Sequence, residues 1–238
     1  MAESLAESDV AFIRGLVIHQ DPEIIALAKP PGLSSQGGRI GTLTLDNLLA
    51  AFAKPSGVKP RLIHRLDRDT SGVILCARSK PAAASLGRAM MTRRMQKTYL
   101  AIVAPGAPVP EAGEIVLPLA RREIGREAYV QVVAPGAPGA QSAVTRYRTL
   151  RAGPESALVE LSPRTGRMHQ LRVHMASIGS PILGDARYGG LLVLAGQKVP
   201  RLMLHALSLR FPHPSGGWMR VEAPPPSDFQ GLADAVSK

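Results

Sequence analysis

His64-Arg65-Leu66-Asp67-Arg68-Asp69-Thr70-Ser71-Gly72, followed directly by Val73-Ile74-Leu75-Cys76-Ala77, decides how this chain is read. The second piece is a short apolar run containing β-branched residues, and it is predicted to be a buried strand. Arg61–Leu66, just upstream, reads as extended. Asp67–Gly72 therefore falls in the connection between two strands. Two carboxylates, two guanidiniums, an imidazole and two hydroxyls crowd His64–Gly72. A rigid sheet fixes the ends of such a loop while its side chains stay polar, which is why catalytic groups are often found there.

Working outward toward the N-terminus, Gly15–Gln20 and Glu23–Ala28 are predicted strands separated by the turn pair Asp21-Pro22. Lys29-Pro30-Pro31-Gly32 must be loop, because proline lacks a donor and fixes φ. Leu45, Leu48, Leu49 and Phe52 recur at helical spacing, with Thr42 or Thr44 available as the cap. The breaker-rich stretch Lys54–Pro60 ends that helix.

Toward the C-terminus, Ser79 as cap and Pro81 in the first turn open a helix expected to run to about Arg94. Tyr99–Ala104 is the next predicted strand. Pro/Gly/Ala stretches at 104–113 and 134–140 flank a basic, strand-like middle. Ala-Pro-Gly-Ala-Pro occurs at 104–108 and again at 134–138, but the flanking sequences differ, so this is loop composition and not a repeat. Ala157–Leu161 reads as a strand and Thr165-Gly166 as a turn. Met168, Leu171, Met175 and Ile178 then mark one helical face, with Gly179 placed to end the helix. Arg201–Phe211 and Trp218–Val221 read as a hairpin around Pro212–Gly217, and the residues after Pro224-Pro225-Pro226 as a loose tail. Strands and helices without strict alternation give an α+β class. The expected division is a tail at 1–14, a folded domain at 15–223 and a second tail at 224–238.

Composition narrows the partners. The 238 residues, 45% of them hydrophobic, are enough to bury a core. No apolar stretch is long enough to cross a bilayer. The polar, acidic start Met1–Asp9 is unlike a secretory signal, so export is not expected. Cys76 is the single cysteine, which leaves no internal disulfide and no cysteine-based zinc site and agrees with a cytoplasmic setting. The net charge of +11, with arginines clustered at 61/65/68, 88/93/94, 121/122/126, 146/148/151 and 164/167/172, points to a polyanion. Aromatic residues are only 4% of the chain, which argues against a reader that stacks successive bases on an aromatic platform. No basic amphipathic helix with a bulky aromatic face suggests a membrane surface.

A second polar constellation, Arg164-Thr165-Gly166-Arg167-Met168-His169-Gln170-Leu171-Arg172, places Arg167 at a helix start after a tight turn. Taken singly, each candidate has an ordinary alternative. Asp67 can pair with Arg65 or Arg68 as a surface ion pair, which contributes little. Arg167 can cap or pair locally, and Tyr99 can be a plain core aromatic.

In combination these segments resemble the RluA-type pseudouridine synthases. His64–Gly72 is similar to their signature segment, Lys29-Pro30-Pro31-Gly32-Leu33 to their first motif, and Lys97-Thr98-Tyr99 to their Lys-x-Tyr motif. Gly166–His174 resembles their Gly-Arg-Thr-His-Gln-Leu-Arg segment. Pro181–Asp185 with Tyr188-Gly189, and Leu204-His205-Ala206 with Phe211–Pro214, continue the likeness in the right order. Met168 departs from the usual threonine, and Ser35-Gln36-Gly37-Gly38 replaces a usual His-Pro stretch.

The resemblance implies a pseudouridine synthase fold: a mostly antiparallel mixed sheet with flanking helices and a central RNA-binding cleft. It implies isomerisation of uridine to pseudouridine in structured tRNA or large-subunit rRNA, without cofactor or metal. Asp67 is then the catalytic carboxylate, Arg167 its guanidinium partner, and Tyr99 the ring that stacks on the base and acts in removing the C5 proton. Arg65 fills the space left by the flipped nucleotide, and Leu171 is an apolar wall of the pocket. His64 and Arg68, in the signature segment, bind substrate. Asp69 is expected to shape the turn. His169 and His174 are five apart, not the helical four of a paired ligand set, so no metal site is expected. A separate N-terminal RNA-binding domain does not fit the length, so target choice is expected from the catalytic domain itself, acting as a monomer. Two rivals remain: a non-catalytic RNA-binding or remodelling protein on the same fold, and a glycosylase that releases the base.

Overall fold

The computed structural model describes residues 5–37, 43–124 and 127–236, which leaves Thr42, Gly38 and Arg126 of the sequence analysis outside the described residues. The chain folds into two compact units: residues 1–95 with 206–225, and residues 96–205 with 226–238.

In the first unit, Asp21-Pro22 turns the chain as the sequence predicts. Asp21 Oδ1 accepts the backbone N–H groups of Glu23 (2.7 Å) and Ile24 (2.9 Å), an Asx turn joining β1 (Val17–Gln20) to β2 (Ile24–Lys29). Asp21 Oδ2 takes His19 Nε2 at 2.9 Å and His213 Nε2 at 3.1 Å. Burial alone would raise its pKa, yet these hydrogen bonds together hold Asp21 down to about 2. β2 pairs antiparallel with β4 (Ser71–Ala77), every residue of which is buried, and β3 (Arg61–Leu62) pairs with the end of β4. Only Arg61–Leu62 of the extended stretch expected at 61–66 is strand. β13 (Leu204–Pro212), most of which belongs to this unit, lies beside β4 and forms an antiparallel hairpin with β14 (Trp218–Glu222). Gly72 permits the approach of β4 to β13: its φ is +116°, and a Cβ there would stand 2.2 Å from the Ala206 carbonyl oxygen.

Helix α3 (Lys80–Met91) covers the sheet. Ser79 Oγ accepts the Ala82 N–H at 3.2 Å, Pro81 sits in the first turn, and Ala82, Leu86 and Ala89 pack with Ile24, Val73, Leu75, Leu209, Phe211 and Val221. It stops short of Arg94 because Arg93 turns left-handed, with φ 57°. α2 (Leu45–Leu48) continues as a 3-10 turn over Leu49–Phe52. Thr44 is its cap, in a capping box: its Oγ1 accepts from Asn47 N–H, and Asn47 Oδ1 accepts from Thr44 N–H.

In the second unit, β5 (Gln96–Val103), β10 (Ala157–Pro163), β9 (Val144–Ala152) and β6 (Ala112–Val116) form antiparallel ladders in the order β5-β10-β9-β6. The basic middle is a ribbon of β7 (Leu119–Ile124) and β8 (Glu127–Val132). Its Leu119 and Val130 pack with Ala143 and with Val173 of α4 (Gln170–Ser177). α4 ends as expected at Gly179, φ +78°, where Ser180 N–H reaches back to the Met175 carbonyl at 3.1 Å. Met168 precedes α4 and is exposed, whereas Leu171 and Met175 are buried. A short ribbon of β11 (Val193–Leu194) and β12 (Gln197–Lys198) completes the strands of this unit.

The short strands β6, β11 and β12 were not expected from the sequence, and three longer elements also differ. α5 (Ser227–Ala235) replaces the loose C-terminal tail: Phe229, Ala233 and Val236 are buried, and Arg201 grips Asp228 through Nε (2.6 Å) and Nη2 (2.9 Å). Pro226 starts this helix, so the proline run opens an element where it was read as closing one. α1 (Glu7–Gly15), with Ile13 buried, falls where an N-terminal tail was expected. β9 was missed because its outward arginines mask the alternation that buries Thr145 and Tyr147. The architecture is α+β, with antiparallel ladders and flanking helices. No helix among the described residues is long and apolar enough to cross a membrane.

Candidate active site

The Asp67 loop is held by side chains from the first motif. Lys29 closes β2 and stands opposite Gly72 in the β2–β4 ladder. Its side chain is 1% exposed, and its Nζ donates to the carbonyls of Pro30 (2.8 Å), Leu33 (2.8 Å) and Arg68 (2.9 Å). A buried ammonium is tolerated because its hydrogens are received by carbonyl dipoles. One lysine thus fixes both the Pro-Pro-Gly turn and the backbone next to Asp67. Ser35 supplies a second tie: its Oγ donates to the Leu66 carbonyl (2.7 Å) and accepts the Leu66 N–H (3.1 Å). The Thr70 N–H closes the turn on the Asp67 carbonyl at 3.2 Å. Leu66 and Thr70 are buried on either side, Asp67 is half-buried, and Arg65, Arg68 and Asp69 are exposed.

His64 has a backbone task. The Leu75 N–H donates to its Nε2 at 3.2 Å, next to the Ile63 N–H to Leu75 carbonyl bond at 2.9 Å. An Nε2 that accepts puts the ring proton on Nδ1, so the network assigns a neutral imidazole that extends the β3–β4 ladder by one side-chain bond. Arg68 Nε donates to the Gly32 carbonyl at 3.2 Å and lies 3.8 Å from Asp69 Oδ1, an exposed and loose ion pair.

The Arg167 turn is held by Gln170, which opens α4 and is 3% exposed. Gln170 Oε1 accepts the Thr165 hydroxyl (2.7 Å) and the Arg167 N–H (3.1 Å). Its Nε2 donates to the Val144 carbonyl (3.0 Å) and to Thr145 Oγ1 (2.9 Å). The proton path is fully determined. His174 Nε2 must donate to the Leu117 carbonyl (3.0 Å), so its Nδ1 accepts from the Thr145 hydroxyl (2.9 Å), which in turn accepts from Gln170. Burial pushes the pKa of His174 down, only partly opposed by the Leu117 hydrogen bond, and agrees with a neutral ring. The Arg167 guanidinium donates through Nε to the Ser142 carbonyl at 3.0 Å.

A third set braces the other side of α4. Arg172 meets Asp185 through two near-parallel bonds of 2.7 and 2.8 Å, and its guanidinium lies 5.0 Å from the Tyr188 ring centroid. The Tyr188 hydroxyl accepts the Val130 N–H (3.1 Å) and meets His169 Nδ1 at 2.7 Å. His169 is thereby fixed in a left-handed conformation, φ 51°, at the helix start. Tyr99 stands on β5 opposite Leu161, its side chain buried, and Leu171 is buried on α4. Lys97, two residues before Tyr99 on the same strand face, has its pKa lowered by burial.

Within the first unit, then, His64, Arg65, Asp67 and Arg68 share one braced loop. Within the second, Arg167 and Leu171 share one braced turn and helix, and Tyr99 stands on a strand. The sequence analysis did not assign roles to Ser35, Gln170, His174 or Thr145. The signal was present for two of them: Gln170 and His174 are polar residues spaced i, i+4, next to the apolar Leu171, Val173 and Met175. For Ser35 nothing local marks the role, because its partner lies 31 residues away.

Comparison with known proteins assigns the class. Residues 23–177 match the family described as RNA pseudouridylate synthase, and the chain belongs to that family, with the RluA-type motifs identified above. It is an enzyme of RNA modification, an isomerase that turns uridine into pseudouridine. Its relatives include the mitochondrial pseudouridylate synthase RPUSD4 of Xenopus tropicalis, 38% identical over 228 residues that cover 85% of this chain and 70% of that protein. The ribosomal large subunit pseudouridine synthase C of Escherichia coli is 37% identical over 221 residues, covering 90% of this chain and 68% of its own. Among solved structures, human RNA pseudouridylate synthase domain containing 4 superposes with a TM-score of 0.82 at 29% identity, covering 98% of each chain.

Proposed function

We propose that Asp67 is the nucleophile of the isomerisation and that the target is a uridine of large-subunit ribosomal RNA. The observation that carries the first part is the bracing of the Asp67 loop. A half-buried carboxylate sits on a polar turn whose backbone is fixed at Leu66 and Arg68 by a buried serine and a buried lysine. Such pre-positioning is what an attacking carboxylate requires and what a surface carboxylate does not. The second part rests on likeness to the large-subunit enzyme; transfer RNA is the alternative target.

In the reaction the Asp67 carboxylate attacks an electron-poor carbon of sugar or base. The C1′–N1 bond breaks, the uracil turns while it stays bound, and C5 bonds to C1′. The bond to Asp67 breaks again to free the carboxylate, the C5 proton leaves to water, and N1 takes up a proton from water, so the mass of the RNA is unchanged. Arg167 is proposed to pair with Asp67, favouring its charged form and fixing its direction. The nucleotide must leave the stack, and Arg65 is proposed to fill the space it vacates. Tyr99 stacks on the flipped base and assists loss of the C5 proton, and Leu171 supplies an apolar wall that excludes water. Arg68 contacts the phosphate backbone. His64, committed to the Leu75 N–H, positions the loop. The catalytic domain is proposed to span residues 15–223 together with the packed helices α1 and α5 that flank them, and to act as a cytoplasmic monomer.

The test is release of tritium from RNA labelled at uracil C5, with large-subunit rRNA and tRNA transcripts in parallel. Release by the parent but not by Asp67→Asn supports the assignment. Asp67→Asn at parental rates overturns it, and an RNA that loses mass as free base makes the enzyme a glycosylase. Release from the tRNA alone moves the target.

A further inference from the structure

The solvent face of the β13–β14 hairpin carries an arrangement that the proposed chemistry does not use. Inward, Leu209, Phe211 and Val221 join the core. Outward, the register sets Arg210 directly opposite Arg220, and Trp218 two residues away on the same face. Like charges facing one another across a ladder oppose the fold. Arg220 is offset by an ion pair with Glu222. Arg210 is laid over the indole, its guanidinium carbon 4.5 Å from the ring centroid, while Trp218 itself remains 47% exposed. Arg94, from the segment after α3, approaches the same indole at 5.5 Å. Arg93, beside it, occupies the left-handed position that ends α3, with φ 57°, where glycine is the unstrained choice.

Two local rules are therefore broken in one compact unit, both in favour of arginine: a like-charge pair in the ladder and a side chain at a glycine position. Conflicts of this kind mark functional surfaces, because stability alone would have removed them. Two guanidiniums thus gather at one exposed indole, which attracts cations through its ring face.

We propose that Arg93, Arg94, Arg210 and Arg220, ordered around Trp218, form an auxiliary RNA-backbone-binding surface that engages phosphates of the substrate RNA outside the reacting nucleotide. This rests on the RNA-modifying reading above, and the partner follows from charge complementarity with a polyanion the enzyme already binds. None of these residues carries a proposed step of the chemistry, so their contribution belongs to binding.

The experiment uses a fluorescein-labelled large-subunit rRNA transcript, with affinity measured from about 50 to about 200 mM salt. The proteins are the parent, Arg94→Gln/Arg210→Gln, Trp218→Ala and Arg93→Gly. The double variant is expected to bind about three- to tenfold more weakly, and the slope of log affinity against log salt to fall by about one for each phosphate no longer neutralised. In tritium release its KM rises while kcat stays. Trp218→Ala weakens binding without a comparable change in slope. Arg93→Gly separates fold from function: relief of the left-handed strain keeps or raises the unfolding temperature while affinity falls. Unchanged affinity and slope in the double variant, or losses only in unfolding temperature, overturn the surface and leave the catalytic assignment standing. A parent that binds no RNA overturns both.

Discussion

The Asp67 loop and the Arg167 turn are braced by opposite means. The loop is tied by a cation and a hydroxyl from a distant stretch of chain: Lys29 reaches the Arg68 carbonyl across 39 residues, and Ser35 reaches Leu66 across 31. The turn is tied by neutral groups: Gln170 holds its near neighbours Thr165 and Arg167, and is itself anchored to Thr145, 25 residues away, which also meets His174. The difference follows from what each must present. The loop carries a carboxylate on a backbone with little apolar content, and its Arg68 carbonyl is gathered with those of Pro30 and Leu33 on a buried ammonium. The turn opens a helix whose first N–H groups need acceptors, and an amide side chain supplies an acceptor to them and two donors to the neighbouring strand.

The comparison can be broken most severely at the carboxylate. Asp67→Asn is expected to lower tritium release by at least about a thousandfold with the unfolding temperature little changed, since it removes the attacking charge and keeps the shape. Lys29→Met comes next. It leaves three buried carbonyls without their donor and should cost about 3–5 kcal/mol in urea unfolding, with a large loss of activity because the Arg68 backbone is released. Gln170→Leu should cost about 2–4 kcal/mol, because the Arg167 N–H and the Thr165 hydroxyl lose their acceptor inside the fold. Its expected signature is faster amide exchange at Arg167 while the Asp67 loop keeps its protection.

A pH titration sharpens the comparison further. The folded pKa of His174 lies below its unfolded value of 6.5, so the unfolded chain takes up the proton first as pH falls. Its contribution to stability is present above about pH 6.5 and is lost as pH drops toward the folded value, at no more than about 1.4 kcal/mol per pH unit. His174→Gln should flatten that slope, and a slope of parental size in this variant would remove His174 as its source. Ser35→Ala is the smallest perturbation, about 1–2 kcal/mol, with kcat reduced more than KM is changed if the serine serves mainly to place Asp67.

Much of this was legible beforehand. The strand Ser71–Ala77, the Asx turn at Asp21, the cap at Ser79 and the helix stop at Gly179 are local physics, and they stand close to where the residues put them. What failed was local signal overwritten by context. Arg146, Arg148 and Arg151 hid strand β9, whose inward Thr145 and Tyr147 alone keep the period. Pro224-Pro225-Pro226 read as an ending, although Phe229, Ala233 and Val236 beyond it carry a helical stripe.

By itself the sequence determined the type of most elements, the family and the candidates Asp67, Tyr99 and Arg167, because these rest on residue identity and short spacing. Only the tertiary structure decided what holds them. That Lys29 reaches the Arg68 carbonyl, that Ser35 grips Leu66, that His64 serves the Leu75 N–H and that Gln170 reaches Val144 and Thr145 are facts of proximity between residues far apart in the chain. A buried polar side chain takes its role from whichever unpaired backbone group the fold brings beside it, and no local pattern of residues contains that information.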